Sequence, residues 1–276
     1  MMSEKQLIKL IINADDYAYF PCTSRGILEV IQTGSITATG ILANRTELDQ
    51  QLEWLKPLKN VDLGVHLNLT MGHPLTKVME SKLVKYGGQF PGLYPMIGLL
   101  VRGLISTDDI YKEWQAQIER CQVVDLKFLN SHEHIHMLPL LFPIVIKLAD
   151  EYKIAHVRQT QPEWLLSTSV NALIRNFLLQ AVHLINKSRY KSNTPRLIGL
   201  NSSGKLTINY LEKLFATLVP GHTYELMCHP GLFDADEIKN PRLLDYHHWE
   251  SELNLLKSDE IQALYQKNNI QLCRYA

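Results

Sequence analysis

Short apolar segments alternate with amphipathic segments along nearly the whole chain. Residues 7–13 (LIKLIIN) form an apolar, β-branched run that is typical of a buried strand, and residues 23–34 place three aliphatic side chains on one helical face. Such regular alternation predicts a parallel sheet with crossover helices. The predicted fold class is therefore α/β, as a TIM-like (β/α) barrel that is distorted or has seven strands. A doubly wound open sheet is the alternative.

The predicted strands and helices cover most of the chain. The strands are expected at residues 7–13, 37–42, 62–69, 127–130, 155–158, 223–228 and 270–274. The helices are expected at residues 23–34, 46–56, 106–122, 139–152, 163–185, 206–218, 249–256 and 259–266. No linker-like stretch separates these units, so we expect a single domain over residues 1–276.

One long interruption, residues 71–106, separates a predicted strand from a predicted helix. It is rich in glycine and proline, and a loop of this length in a compact fold is more often a lid or binding element than filler. Its second part, residues 90–105, is apolar, with Arg102 as its only charged residue. This part is expected either to pack as a helix on the barrel or to form the contact of a homodimer.

Composition and charge exclude several classes of protein. Hydrophobic residues make up 46% of the chain and charged residues 20%, which is ordinary for a globular domain and excludes a disordered or fibrous chain. The 28 basic and 28 acidic side chains balance, so a nucleic-acid partner is not expected. The cysteines have no metal-type spacing, and no segment resembles a signal peptide or a membrane span. We therefore expect a cytoplasmic protein.

Polar side chains gather where the predicted strands end. These residues are Asn13, Asp15 and Asp16 after the first strand, His66 and Asn68 in the third, Asn130, Ser131 and His132 after the fourth, and His229 after the strand at 223–228. The carboxyl ends of parallel strands converge on one face of the sheet, where active sites form. We therefore expect these side chains to meet in one site.

The carboxylates and histidines of this set suit a divalent metal ion. Asp15 and Asp16 repel each other unless a cation or a shared proton intervenes, although a turn or helix cap is the structural alternative. His132, His134 and His136 would all point to one side if the chain were extended here, and imidazole is a ligand for Zn²⁺ and similar ions. One aspartate and two histidines would supply three ligands and leave positions open for water and substrate. A further aspartate and histidine could act as base and acid.

Four motifs in this order resemble a known family. They are NADDY from residue 13, GVHLNLTMGHPL from residue 64, SHEHIHMLP from residue 131 and ELMCHPG from residue 225. They resemble the YdjC-like carbohydrate deacetylases, which include the chitooligosaccharide deacetylases, and the resemblance covers about residues 7–275. It implies a (β/α) barrel related to polysaccharide deacetylases. It also implies divalent-metal-dependent removal of an N-acetyl group from an acetylated amino sugar.

The resemblance also implies roles for individual residues. Asp16, His66 and His132 match the family's metal ligands, Asp15 matches its catalytic base, and His229 is expected to be the acid. Polar residues near the motifs are assigned to substrate binding, namely Asn13, Asn68, Thr70, Arg158 and His134. The metal is expected to be Mg²⁺, which the family allows, or Zn²⁺, which suits an Asp/His/His set.

The chain departs from the family pattern near the third motif. Asn130 stands where the family has aspartate, and Glu133 stands where it has a second histidine of a triplet. Neither change removes an expected metal ligand. His134 and His136 are expected to support the site without binding the metal, because the chain must turn after His132 toward the next helix.

Two other functions remain open at this point. A metal-dependent phosphoesterase on a similar barrel would need a basic clamp for the anion, and Arg158 is the evident candidate. A non-catalytic carbohydrate-binding protein would have a decayed site, whereas the expected ligands, base and acid are all intact. For the apolar residues 90–105, the resemblance adds a third interpretation, a channel for a lipid-linked amino sugar.

Overall fold

The protein folds around one parallel β-sheet. The computed structural model describes residues 7–164, 170–189 and 194–275. The strands in these ranges are β1 (Ile8–Tyr17), β2 (Ala38–Ile41), β3 (Asp62–Leu67), β4 (Leu126–Ser131), β5 (His156–Val157), β6 (Arg196–Ile198), β7 (Thr223–Cys228) and β8 (Ile270–Leu272). Pairing runs in the order β5-β4-β3-β2-β1-β7-β6, and β8 pairs with the first residues of β1.

Helices connect the strands and cover the sheet. Those in the described ranges are α1 (Pro21–Gln32), α2 (Leu48–Leu55), α3 (Lys77–Lys82), α4 (Leu93–Val101), α5 (Thr107–Cys121), α6 (Phe142–Glu151), α7 (Val170–Asn186), α8 (Ile208–Phe215), α9 (Arg242–Tyr246), α10 (Trp249–Lys257) and α11 (Asp259–Lys267). Short 3-10 helices span Val84–Tyr86, His132–Met137, Lys187–Arg189 and Leu200–Ser202. The predicted strand–helix alternation is confirmed.

The sheet curls into an incomplete barrel. Its path ends at β5 and β6, which do not pair with each other within the described ranges. Arg158, directly after β5, nevertheless reaches Glu225 on β7, with 2.7 Å between Nε and Oε1, although four strands lie between β5 and β7 in the pairing order. Such a contact across the interior requires a strongly curved sheet. The predicted fold class is confirmed in its distorted form, with seven strands along the path.

The structure differs from the prediction in one strand and at the start of one helix. The strand Arg196–Ile198 was not predicted, because three residues are too few to show a strand period. The helix expected at 163–185 is α7, which begins at Val170 in the described part of the chain, while residues 165–169 lie outside it. The predicted start of α5 agrees with the structure, since the Ser106 side chain accepts a hydrogen bond from the Asp109 amide and caps the helix.

The insertion at 71–106 contains α3, a 3-10 turn and α4. Glu113 on α5 fixes its beginning by accepting hydrogen bonds from the backbone amides of Leu75 and Thr76 at 3.0 and 2.9 Å. Apolar side chains of α4 enter the main core, among them Met96 and Leu99. The inner face of α4 therefore packs on the main core, as expected for a helix that packs on the barrel. Tyr94 is 83% exposed, and a dimer contact or a lipid channel on this outer face stays a prediction.

Among the helices of the described residues, none combines the length and the apolar character that crossing a bilayer requires.

Candidate metal centre

An irregular turn at the end of β1 brings two adjacent carboxylates to the mouth of the barrel. In a regular strand, neighbouring side chains point to opposite faces. Here the register with β2 shifts, and Asp16 and Ala18 have positive φ angles of 65° and 71°. A left-handed non-glycine residue costs roughly 1–2 kcal/mol, and a 2.8 Å hydrogen bond from the Ala18 amide to the Ser24 hydroxyl stabilises the turn. Asp15 and Asp16 can therefore both face the site.

Asp16, His66 and His132 form a compact triad at this mouth. The Asp16 Oδ1 atom lies 3.3 Å from Nε2 of His66 and 2.9 Å from Nδ1 of His132. One potential ligand atom from each residue falls within 4.8 Å of the others. Burial opposes ionisation of Asp16, but the neighbouring His132 imidazole and His66 outweigh it and hold the Asp16 pKa well below its usual range.

The donor set of this triad fits a divalent metal ion. The second carboxylate oxygen of Asp16, Oδ2, is buried and has no hydrogen-bond partner among the described residues. Such an atom is costly to bury unless a ligand or water satisfies it. A carboxylate with two imidazoles is a ligand set typical of zinc and related ions. The three expected metal ligands are thus brought together by the ends of β1, β3 and β4.

Asp15 lies beside the triad as a buried, paired carboxylate. Arg158 donates to it from Nη1 at 2.5 Å and from Nη2 at 2.8 Å, and Asn130 Nδ2 donates to Oδ1 at 2.9 Å. Burial opposes its ionisation, but the Arg158 guanidinium, with smaller contributions from His66 and His229, outweighs burial, and together they lower the Asp15 pKa to about 2. Asp15 is therefore a carboxylate at neutral pH.

Arg158 and Asn13 lie beneath Asp15 in the barrel interior. Arg158 is also paired with Glu225, and its side chain has no exposed surface. The Asn13 amide donates to Glu225 at 2.9 Å and to the Tyr275 hydroxyl at 3.2 Å. These contacts engage donors of Arg158 and Asn13 within the protein, and their assignment to substrate binding stays a prediction. The same pairing engages the guanidinium that a phosphoesterase would use as its anion clamp.

Asn68 and Thr70 shape the start of the insertion. The Asn68 side-chain oxygen accepts from the Thr70 amide at 2.9 Å and from the Met71 amide at 3.2 Å. Its amide nitrogen donates to Asn44 Oδ1 at 2.8 Å. Asn68 is fully buried, and its hydrogen bonds hold the turn. Its assignment to substrate binding stays a prediction. Thr70 is also buried, and a substrate contact there stays a prediction.

The histidine-rich segment after β4 is a kinked 3-10 helix. Glu133 and His134 have φ angles of 52° and 53°. The expectation that His132, His134 and His136 point to one side applied only to an extended chain, and the chain is not extended here. His134 Nδ1 lies 3.1 Å from the Thr160 hydroxyl, and His136 Nε2 lies 3.0 Å from the Arg158 carbonyl oxygen. His132 alone of the three belongs to the triad.

His229, directly after β7, has a second imidazole beside it. The His229 amide donates to Glu252 at 2.6 Å, which fixes the loop after β7. Its ring centroid is 5.3 Å from that of His247, which stacks on Trp249 at 5.0 Å. The Nδ1 atoms of both histidines are buried without a hydrogen-bond partner in the described ranges. Burial and then the His229 imidazole lower the His247 pKa to about 3.

Comparison with known proteins identifies the family. A family profile described as YdjC-like protein matches residues 9–267. The chain belongs to the YdjC-like family. It is 30% identical over 229 residues to a carbohydrate deacetylase of Geobacillus stearothermophilus, covering 82% of this chain and 80% of that protein. It is 24% identical over 276 residues to a carbohydrate deacetylase of Brevibacillus brevis, covering 98% and 99% of the two chains.

A solved structure shares the fold of this YdjC-like chain. It comes from Enterococcus faecalis and is named for cellobiose-phosphate cleavage. It superposes with a TM-score of 0.72 at 23% identity, covering 98% of both chains. At this level of identity the likeness supports the architecture alone.

Sequence reasoning missed several residues around the YdjC-like site. His247 precedes α10 and follows no strand, so the position of strand ends could not reveal it. Tyr19 lies 6.0 Å from His132 and 6.3 Å from His247, between ring centroids. The Arg45 guanidinium lies 5.5 Å from the centre of the Tyr19 ring. For Tyr19 the available signal was the group of three aromatic residues at positions 17, 19 and 20, directly after NADD, which the strand-end argument did not use.

Proposed function

We propose that this YdjC-like chain is a divalent-metal-dependent hydrolase that removes the acetyl group from an N-acetylated amino sugar and releases acetate. The observation that carries the proposal is the position of an ionised carboxylate, Asp15, beside the triad of Asp16, His66 and His132. The relatives named as carbohydrate deacetylases, which match over most of their length, support the same reaction class.

The triad is the proposed metal site. Asp16, His66 and His132 would hold the ion, and two imidazole donors favour Zn²⁺ over Mg²⁺, which prefers oxygen ligands. When bound, such an ion would polarise the acetyl carbonyl group and lower the pKa of a coordinated water.

Asp15 is the proposed general base. Its carboxylate is ionised at neutral pH, and Arg158 and Asn130 fix its orientation. It would accept a proton from the attacking water while the water oxygen bonds to the acetyl carbon. Arg158 supports this role by holding Asp15 from below, a contact made possible because Glu225 neutralises part of the guanidinium charge.

His229 is the proposed general acid. It would donate a proton to the sugar nitrogen as the carbon–nitrogen bond breaks, so that the amine leaves and acetate forms. Its ring lies close enough to Asp15 for His229 to contribute to the low Asp15 pKa, after Arg158 and His66. Thr70 and His134 remain our candidates for contacts with the sugar.

The test is a substrate panel read out as released acetate. The purified protein, loaded with Zn²⁺ or Mg²⁺, is incubated with N-acetylglucosamine, its short oligomers and O-acetylated sugars. We expect acetate from the N-acetylated sugars in proportion to time and enzyme, and a matching rise of free amine. Release from O-acetyl sugars alone, or from none of the panel, would contradict the proposal.

A further inference from the structure

Asn130, the second-to-last residue of β4, bridges a metal ligand and the proposed base. Its Oδ1 atom lies 2.8 Å from Nδ1 of His66, and its Nδ2 atom lies 2.9 Å from Oδ1 of Asp15. The side chain is fully buried. Each end of one amide therefore contacts a different residue of the site.

The chemistry of the neighbours decides which way this amide points. Asp15 is bound by the Arg158 guanidinium and can only accept hydrogen bonds, so the amide nitrogen of Asn130 must face it. The amide oxygen then faces His66. An oxygen at this position requires His66 to carry its proton on Nδ1.

The tautomer of His66 has a direct consequence at the triad. With the proton on Nδ1, the lone pair of Nε2 is free, and Nε2 is the atom that lies 3.3 Å from Asp16 Oδ1. The same amide donates to the carboxylate that is proposed to take the water proton. We propose that Asn130 is a positioning residue that fixes the metal-binding tautomer of His66 and the orientation of Asp15 with one amide group. This inference rests on the proposed function for its catalytic part only.

In this chain an amide stands between these two neighbours, where the family pattern has aspartate. One amide serves both at once, because its oxygen can accept from His66 while its nitrogen donates to Asp15, whereas an ionised carboxylate could only accept. An aliphatic side chain would leave both neighbours without this partner. The backbone of Gly40 on β2 closes the space, because a Cβ atom there would lie 3.1 Å from Asn130 Oδ1 and 3.3 Å from the His66 Cβ atom.

The test separates metal binding from turnover. Metal-free protein is titrated calorimetrically with Zn²⁺, the visible spectrum of the Co²⁺ form is recorded, and kcat and KM are measured on the best substrate. For Asn130→Asp we expect Zn²⁺ affinity to be kept or raised up to about tenfold, because a carboxylate on the far side of a ligating imidazole raises its basicity. Turnover is compared for Asn130→Ala at saturating Zn²⁺, where we expect kcat to fall by about 100-fold with KM within twofold, because Asp15 loses a donor that fixes its orientation.

Two further variants keep the inference testable if Asn130→Asp folds poorly. Asn130→Ala should weaken Zn²⁺ binding by about 10- to 100-fold and change the Co²⁺ spectrum. Gly40→Ala keeps the amide but displaces it, and we expect Zn²⁺ affinity and kcat to fall by at least about threefold. The matched control is Asn268→Asp. Asn268 is a half-buried amide that donates to the Leu264 carbonyl just before β8, which pairs with the first residues of β1, at the other end of β1 from the triad, and both quantities should stay unchanged.

The outcomes are distinguishable from failure of the proposed function. If the unaltered protein hydrolyses no substrate, the proposed function fails. The Zn²⁺ and Co²⁺ measurements still test whether Asn130 fixes the metal-binding tautomer of His66. Unchanged Zn²⁺ affinity and Co²⁺ spectrum in Asn130→Ala would overturn the role toward His66. A kcat of Asn130→Ala at saturating Zn²⁺ within threefold of the unaltered protein would overturn the role toward Asp15.

Discussion

Replacing Arg158 by Met should destabilise the protein strongly at neutral pH and much less in acid. The guanidinium has no exposed surface and binds Asp15 and Glu225, so Met fills similar space but leaves two buried carboxylates without their cation. Removing one partner of a buried pair costs about 3–5 kcal/mol. In a chain of this size, the expected loss in Tm is roughly 6–20 °C at pH 7.

The pH dependence follows from the direction of the Asp15 pKa. In the unaltered protein this pKa falls from 3.8 to about 2, which corresponds to about 2 kcal/mol of folding free energy. Because the folded-state pKa is depressed, this stability is present above pH 4 and is lost as the pH falls toward 2. Without Arg158, burial favours the protonated carboxyl group, so the variant gains stability relative to the unaltered protein between pH 7 and pH 4.

The assay is urea unfolding of the metal-free protein at pH 7 and at pH 4. Arg120→Met is the matched control, since Arg120 donates to the Ala43 carbonyl and to Asp49 at the surface, and we expect it to cost about 1 kcal/mol at either pH. A loss below about 1 kcal/mol for Arg158→Met at pH 7, or an equal loss at both values of pH, would refute the buried pairing.

Three further predictions concern the site itself. Asp16→Ala, His66→Ala and His132→Ala should each lower the bound metal at least tenfold, as measured by elemental analysis after dialysis, and full occupancy would remove that residue from the ligand set. Asp15→Asn should keep the metal and lower kcat by about 10²- to 10⁴-fold, and near-normal turnover would exclude it as the base. His247→Ala should lower kcat about tenfold with metal content unchanged, because the imidazole beside the proposed acid is lost; a tenfold loss of metal instead would place His247 among the ligands.

The fold was largely predictable because its signals are local. Residues 223–228 have the bounds that the apolar run predicted, and Ser106 caps α5 as its sequence indicates. Periodicity works where a segment is long enough to display it. The strand at 196–198 is too short, and its pairing with β7 is a long-range property that no local pattern contains.

The candidate site was predictable in its residues but less so in their contacts. Strand ends indicated Asp15, Asp16, His66 and His132, because topology alone brings such positions together. The roles of Arg158 and Asn13 depend on which side chains meet inside a curled sheet, and spacing along the chain does not show this. In the histidine run the chain turns directly after His132, as the sequence analysis expected, but the positive φ angles of Glu133 and His134 that make this turn have no signal in the sequence.

The central claim is that hydrolysis of an N-acetyl group depends on one metal ion held by Asp16, His66 and His132. The most direct measurement is acetate release from an N-acetylglucosamine dimer by chelator-treated protein to which Zn²⁺ is added in steps. We expect no release without metal, and a linear rise that ends at one ion per chain and is absent from Asp16→Ala. Full activity in the metal-free protein, or equal restoration of Asp16→Ala, would contradict the account.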